Sequence, residues 1–245
     1  MSLTGICDNL ALLSSPEVLD HLKQVVVRTN EQWAAILGIN PSTATTCVKP
    51  SGTVSQLVDS ASGLHTRHSP YYIRTVRADN KDPLTEFLKS TGVYWEPDVM
   101  SPENTSVFFF PIKSPDGAIT RHDQNAIQAL ELWKTLQDFW CEHKPSATIN
   151  VKEDEWMEVG AWVYKNFDTL SGVSFLPYDG GTYKQAPYTE VTKEEFEEWC
   201  QKHPTPVINW DDLRFFETED HTTGSQELAC TGGVCEVVAI GTIRE

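Results

Sequence analysis

The chain has 245 residues, a 40% apolar fraction and eight tryptophans, enough for a real core in one large domain or two small ones. Its net charge is −16, and between Ala186 and Glu236 twelve acidic side chains stand against three basic ones, which argues against a duplex-binding surface and fits a solubilising charge. No run approaches the roughly eighteen apolar residues of a membrane span, and "MSLTGICDNL" lacks the basic and apolar regions of a secretory signal. A cytoplasmic location with reduced thiols is therefore expected, with neither membrane nor nucleic acid as a partner.

Taken in chain order, Ser15-Pro16 predicts a helix N-terminus, and "EVLDHLKQVVVRTNEQWAAILG" runs from it to a stop at Gly38. The β-branched "TATTCV" reads as a strand. After Pro50-Ser51-Gly52, Val54, Leu57, Val58 and Ala61 fall at i, i+3, i+4 and i+7, which predicts a short helix ending at Gly63. "YYIRTVR" is a strand, Asp82-Pro83 opens a helix, and "SVFFFPIK" is a strand whose pairing Pro111 limits. A helix is expected from Asp123 to His143. "ATINVKE" alternates, placing Ala147, Ile149 and Val151 on one face. Asp154 to Phe167 is predicted helical with Trp156, Val159, Gly160, Val163 and Phe167 inward, and "SGVSFLP" is a further strand. Thr192 and Glu195 form a capping box for an acidic helix ending near His203. Strands alternating with long helices place the chain in the α/β class. The last forty residues read as an appended segment that the Gly, Thr and Ser of "HTTGSQELACTGGVC" would keep mobile.

Three stretches carry chemistry. In "CVKPSGTVSQLVDSASGLH" a strand runs into a turn at a helix start, where amides without internal partners and the helix dipole favour an anion. Gly52 permits close backbone approach, and Ser51, Thr53 and Ser55 add hydroxyls. The alternative is an ordinary serine cap, and the stretch is not a Walker A loop. Cys230 and Cys235 form the one local cysteine pair; a zinc half-site, a structural disulfide, an exchanging dithiol and an inert pair all remain open. Cys7, Cys47, Cys141 and Cys200 read as free buried thiols. In "HTRHSPYYIRTVR", Arg67, Arg74 and Arg77 either meet an anionic ligand or make internal salt bridges.

The stretch "PSTATTCVKPSGTVSQLVDSASGLHTRHSPYYIRTVR" closely resembles the adenosylcobalamin-dependent (class II) ribonucleoside-triphosphate reductases. "SATINVKEDEW", "YKQAPYTEVT" and the tail "QELACTGGVCEVV" are similar to the same family. The resemblance implies the C-terminal portion of a ten-stranded α/β barrel of the ribonucleotide reductase and glycyl-radical-enzyme type, over residues 1–205, followed by a tail over 206–245. It further implies thiyl-radical reduction of ribonucleotides, as triphosphates, to 2′-deoxyribonucleotides, with adenosylcobalamin as cofactor. Residues matching Ser51, Gly52, Thr53, Val54 and Ser55 bind the substrate phosphates in that family. The pair matching Cys230 and Cys235 re-reduces the active-site disulfide, drawing electrons from a thioredoxin-type partner.

The departures are as informative. The family's radical cysteine sits in an Asn-x-Glu-x-Cys neighbourhood that this sequence lacks, and neither Cys7 nor Cys47 matches the redox cysteine of the first barrel strand. The chain therefore reads as a C-terminal fragment or split-gene product that needs the remaining N-terminal part of the reductase. The alternatives are a fragment of a diiron-type large subunit, disfavoured because "SGVSFLP" lacks a tyrosine pair, and a non-catalytic assembly module that docks on an upstream half-barrel.

Overall fold

Ser15 accepts a hydrogen bond from the Val18 amide, Pro16 occupies the first helical position, and Gly38 closes the helix at φ 66°. These local signals fix α2 (Pro16–Leu37), preceded by a 3₁₀ turn at Ile6–Asn9 and the single turn α1 (Leu10–Leu13). The computed structural model describes residues 1–51, 54–178 and 184–218. The remaining elements are α3 (Val54–Leu57), β1 (Tyr71–Asp79), α4 (Pro83–Thr91), β2 (Trp95–Pro97), β3 (Thr105–Lys113), α5 (Ala126–Phe139), β4 (Thr148–Val151), α6 (Trp156–Lys165), β5 (Ser174–Pro177), β6 (Tyr188–Glu190) and α7 (Lys193–Lys202). A six-residue 3₁₀ helix follows at Trp210–Phe215.

The strands form two sheets. One is antiparallel in the order β2-β3-β1-β6, and the other is the parallel pair β4-β5. The α/β class expected from the sequence is observed. Among the described residues neither sheet closes, so ten strands and a barrel are not seen within them. β1 and β3 pair along their whole length, from Tyr71 opposite Lys113 to Asp79 opposite Thr105. Pro111, which lacks an amide donor, pairs only with β1, because β2 reaches no further than Phe108.

The main core packs α5 against α2, α6 and the β4-β5 pair. Leu19, Leu130, Trp133, Leu136, Trp140, Ile149 and Val151 are buried in it. In this core each indole N–H has an acceptor: Trp133 donates to Pro145 O (2.9 Å), Trp140 to Cys47 O (2.8 Å) and Trp162 to Glu131 Oε1 (2.6 Å). Buried Cys7 and Cys141 fit the free-thiol expectation, and burial pushes both pKa values up to about 12; Asp8 adds to the first and Cys47 to the second. Cys47 and Cys200 are only half-buried. No described helix is long and apolar enough to cross a membrane.

Several sequence expectations need correction. "TATTCV" is extended but makes only isolated bridges, Cys47 with Ser2 and Val48 with Pro145. The Thr45 and Thr46 amides donate instead to the Glu142 carboxylate, at 2.7 and 3.2 Å, so they are lost to a strand ladder. The helix after Pro50 is described as helical only at Val54–Leu57; Asp59 adopts φ 46°, and of the predicted stripe Ala61 is buried while Val54, Leu57 and Val58 are exposed. In α6 the buried face is Val159 and Trp162, with Trp156 and Phe167 outside. The 3₁₀ helix beyond Pro206 packs Trp210 on Phe87, at 5.7 Å between rings, and Phe216 joins it there at 5.5 Å.

Candidate phosphate-binding turn and its surroundings

The turn after Pro50 is held by serine hydroxyls. Ser51 Oγ donates to Ser55 Oγ (2.8 Å) and lies 2.7 Å from Ser62 Oγ. Ser55 is fully buried, and its carbonyl accepts from the Ser60 amide at 2.9 Å. The Val54 amide donates to Ser51 O (2.9 Å), so it is engaged within the turn, and the Val54 side chain is exposed. Gly52 and Thr53 lie outside the described residues, as do Cys230 and Cys235. Of the predicted phosphate-binding set, the structure thus brings Ser51 and Ser55 together and adds Ser62.

The return of this loop is anchored by charge. Arg67 is buried, and its guanidinium donates Nε to Asp8 Oδ1 (3.0 Å), Nη2 to Asp8 Oδ2 (3.1 Å) and Nη1 to Asp59 Oδ1 (2.7 Å). Nη2 also reaches Asp59 O at 2.5 Å. Asp8 Oδ2 in turn accepts the Ala61 amide (2.7 Å), and Thr4 Oγ1 accepts the Gly63 amide (2.9 Å). The fork of Arg67 therefore ties both ends of the loop to the N-terminal segment. Beyond it, His65 bridges Ser62 O (3.1 Å, Nδ1) and the Thr148 amide (3.2 Å, Nε2). With Nε2 accepting, the ring is neutral and Nδ1 donates; burial, the largest effect, lowers its pKa.

The three arginines of the basic-aromatic run thus have different fates. Arg67 is spent on Asp8 and Asp59, and Arg77 on Asp98 (2.8 Å) and Gln185 O (3.1 Å). Arg74 is stacked 5.5 Å over Tyr188 and makes no ion pair among the described residues. None of these partners was readable from sequence, since Asp8 and Asp59 flank Arg67 at separations of 59 and 8 residues without any periodic signal.

No family model matches the chain. Individual proteins do. An adenosylcobalamin-dependent ribonucleoside-triphosphate reductase of Lactobacillus acidophilus is 31% identical over 235 residues, which is 90% of this chain and 30% of the relative. Its counterpart in Levilactobacillus brevis is 32% identical over 230 residues, covering 88% and 29%. The chain is similar to part of these reductases, as its motifs implied. A crystal structure of a B12-dependent (class II) ribonucleotide reductase superposes with a TM-score of 0.64 at 28% identity, over 81% of this chain and 28% of that one. The chain therefore spans about 30% of the length of the reductases it matches.

Proposed function

We propose that this chain is the C-terminal part of an adenosylcobalamin-dependent ribonucleoside-triphosphate reductase, residues 1–205 contributing to the barrel and 206–245 forming the tail. The observation that carries the reading is the match to the reductases over nine-tenths of the chain. In this reading Ser51, Gly52, Thr53, Val54 and Ser55 line the substrate phosphates, with the amides of Gly52 and Thr53 as donors and the hydroxyl bond from Ser51 to buried Ser55 holding the turn in shape. The Arg67 fork sets the path of the loop. The reductases that the chain matches are adenosylcobalamin-dependent, and among the described residues no group of three or more His, Cys, Asp or Glu side chains converges on a site for a metal ion.

Cys230 and Cys235 are the proposed dithiol shuttle. Two tail thiols pass two electrons and two protons to an active-site disulfide, which reopens to two thiols while the tail closes to a disulfide. A thioredoxin-type reductant then restores the tail by the same exchange. The experiment is turnover of a ribonucleoside triphosphate with adenosylcobalamin and a dithiol. The chain alone should be inactive, and adding the missing N-terminal part should produce deoxyribonucleotide; turnover by the chain alone overturns the fragment reading. In the reconstituted enzyme, Cys230→Ser with Cys235→Ser should abolish turnover driven by a thioredoxin system yet spare turnover driven by a small dithiol.

A further inference from the structure

Arg74 is the basic side chain of the Arg67–Arg77 run that the loop and its anchors leave unused. In β1 it sits directly opposite Tyr188 of β6, and Tyr72 sits opposite Glu190, so these four side chains share one face of the sheet. His68 stacks on Tyr188 at 5.2 Å and meets Tyr72 edge-on at 5.6 Å. A second arginine reaches the same face from the segment before α5. Arg121 donates Nη2 to Glu190 Oε2 (2.6 Å), lies 5.1 Å over Tyr178, and is 14% exposed at its side chain. His122 Nε2 lies 2.8 Å from Glu190 Oε1, and its Nδ1 lies 3.2 Å from the Tyr178 hydroxyl.

Charge and hydrogen bonds do not balance in this cluster. Among the described residues, two guanidinium groups and the His122 ring stand against one carboxylate, Glu190. Among the described residues, Nη1 of Arg74 and Nε of Arg121 are both buried and have no hydrogen-bond partner. Leaving a charged donor desolvated and unpaired is costly, so folds rarely retain one without a use. The open Nη1 of Arg74, and the open Nε of Arg121 on a guanidinium that Glu190 engages only through Nη2, call for an acceptor beyond the described residues. The excess positive field is also felt by His68, whose pKa falls to about 4, through burial first and the charge of Arg121 second.

We propose that this face of the β1-β6 edge is a second anion site, in which Arg74 and Arg121 receive a phosphate group beside the His68–Tyr188 stack. A phosphate offers several strong acceptors to planar N–H forks, which matches the two unpartnered donors and the single competing carboxylate. The shared chemistry is the phosphate, whether free or carried by a nucleotide.

The test is titration of the ¹⁵N-labelled chain with inorganic phosphate, following the arginine Nε–H signals, with chloride at matched ionic strength as reference. Saturable shifts at Arg74 and Arg121 are expected. They should persist in a Gly52→Val variant, which separates this site from the proposed substrate turn. Arg74→Gln should weaken binding about tenfold or more, the weight of one lost charge-assisted bond. Arg74→Lys, which keeps the charge and loses the fork, should weaken it by an intermediate factor and guards against misfolding as the explanation. A parallel titration with adenosine monophosphate separates the sources: tighter binding than phosphate assigns the site to a nucleotide, and equal binding to free phosphate. Shifts reproduced by chloride, no saturation, or undiminished binding in Arg74→Gln each overturn the proposal.

Discussion

Arg67 shows how one residue sets the geometry of a loop. Its side chain is 4% exposed and holds Asp8, 29% exposed, and Asp59, 70% exposed. Removing the shared cation strands the Asp8 carboxylate in a largely dry site, whereas removing Asp59 returns little because water already screens it. Arg67→Met should therefore lower unfolding stability by about 3–5 kcal/mol, and Asp59→Asn by about 1 kcal/mol or less, both read from urea denaturation. Equal costs would mean that the clamp is not centred on Asp8. The buried histidines give a pH signature. His68 is held neutral by burial, with a folded pKa of about 4 against an ordinary value near 6.5. Its folded pKa lies below the unfolded one, so its contribution is complete above about 6.5 and is lost as pH falls from there toward 4. His65 acts in the same direction. Stability should fall between pH 6.5 and 4, and His68→Phe, which keeps the ring stack, should flatten that slope; an unchanged slope would show that His68 is not its source.

At the scale of elements, what the sequence disclosed were the local signals. Ser15-Pro16, Asp82-Pro83 and the Thr192–Glu195 box each cap a helix where expected, because a cap is settled by side chains within three residues of the backbone they satisfy. The capping box of Asn125 and Gln128 was equally local, yet the helix was expected to start three residues too early, at Asp123, whose carboxylate accepts from Thr120 instead. Asn125→Ala should cost about 1 kcal/mol in thermal or urea unfolding, since α5 is the central helix of the core. The short strands β2 and β6 were not foreseen. Three residues cannot show alternation, and both exist only through pairing with β3 and β1. The same reason hid the Arg74–Arg121 cluster, whose members come from three separated segments. The proposed phosphate-binding turn was marked in the sequence by Pro-Ser-Gly-Thr, while the hydrogen bond between Ser51 and Ser62 depends on a loop path that no periodicity announces.

The whole molecule carries apolar surface that its own fold does not cover. Along the second half of α2 and just past it, Trp33, Ile36, Leu37 and Ile39 are exposed, and after the Pro50 turn Val54, Leu57 and Val58 are exposed, Leu57 by 85%. A chain has little reason to keep such an apolar patch in water, and this one begins inside the proposed phosphate-binding segment. The chain also spans only about 30% of the reductases it resembles, so most of the matching proteins lies outside it. On the proposed function, the stripe is the inward side of a loop that the remainder of the barrel covers. That reading separates two measurements which a simple stability role would keep together. Leu57→Gln with Val58→Thr should change the unfolding stability of this chain by no more than about 0.5 kcal/mol, as surface substitutions do. In the reconstituted enzyme the same pair buries polar groups against an apolar partner, and it should reduce both association with the N-terminal part and nucleotide turnover by tenfold or more. Undiminished association and turnover would place the stripe on an outer surface and remove this turn from the barrel interior.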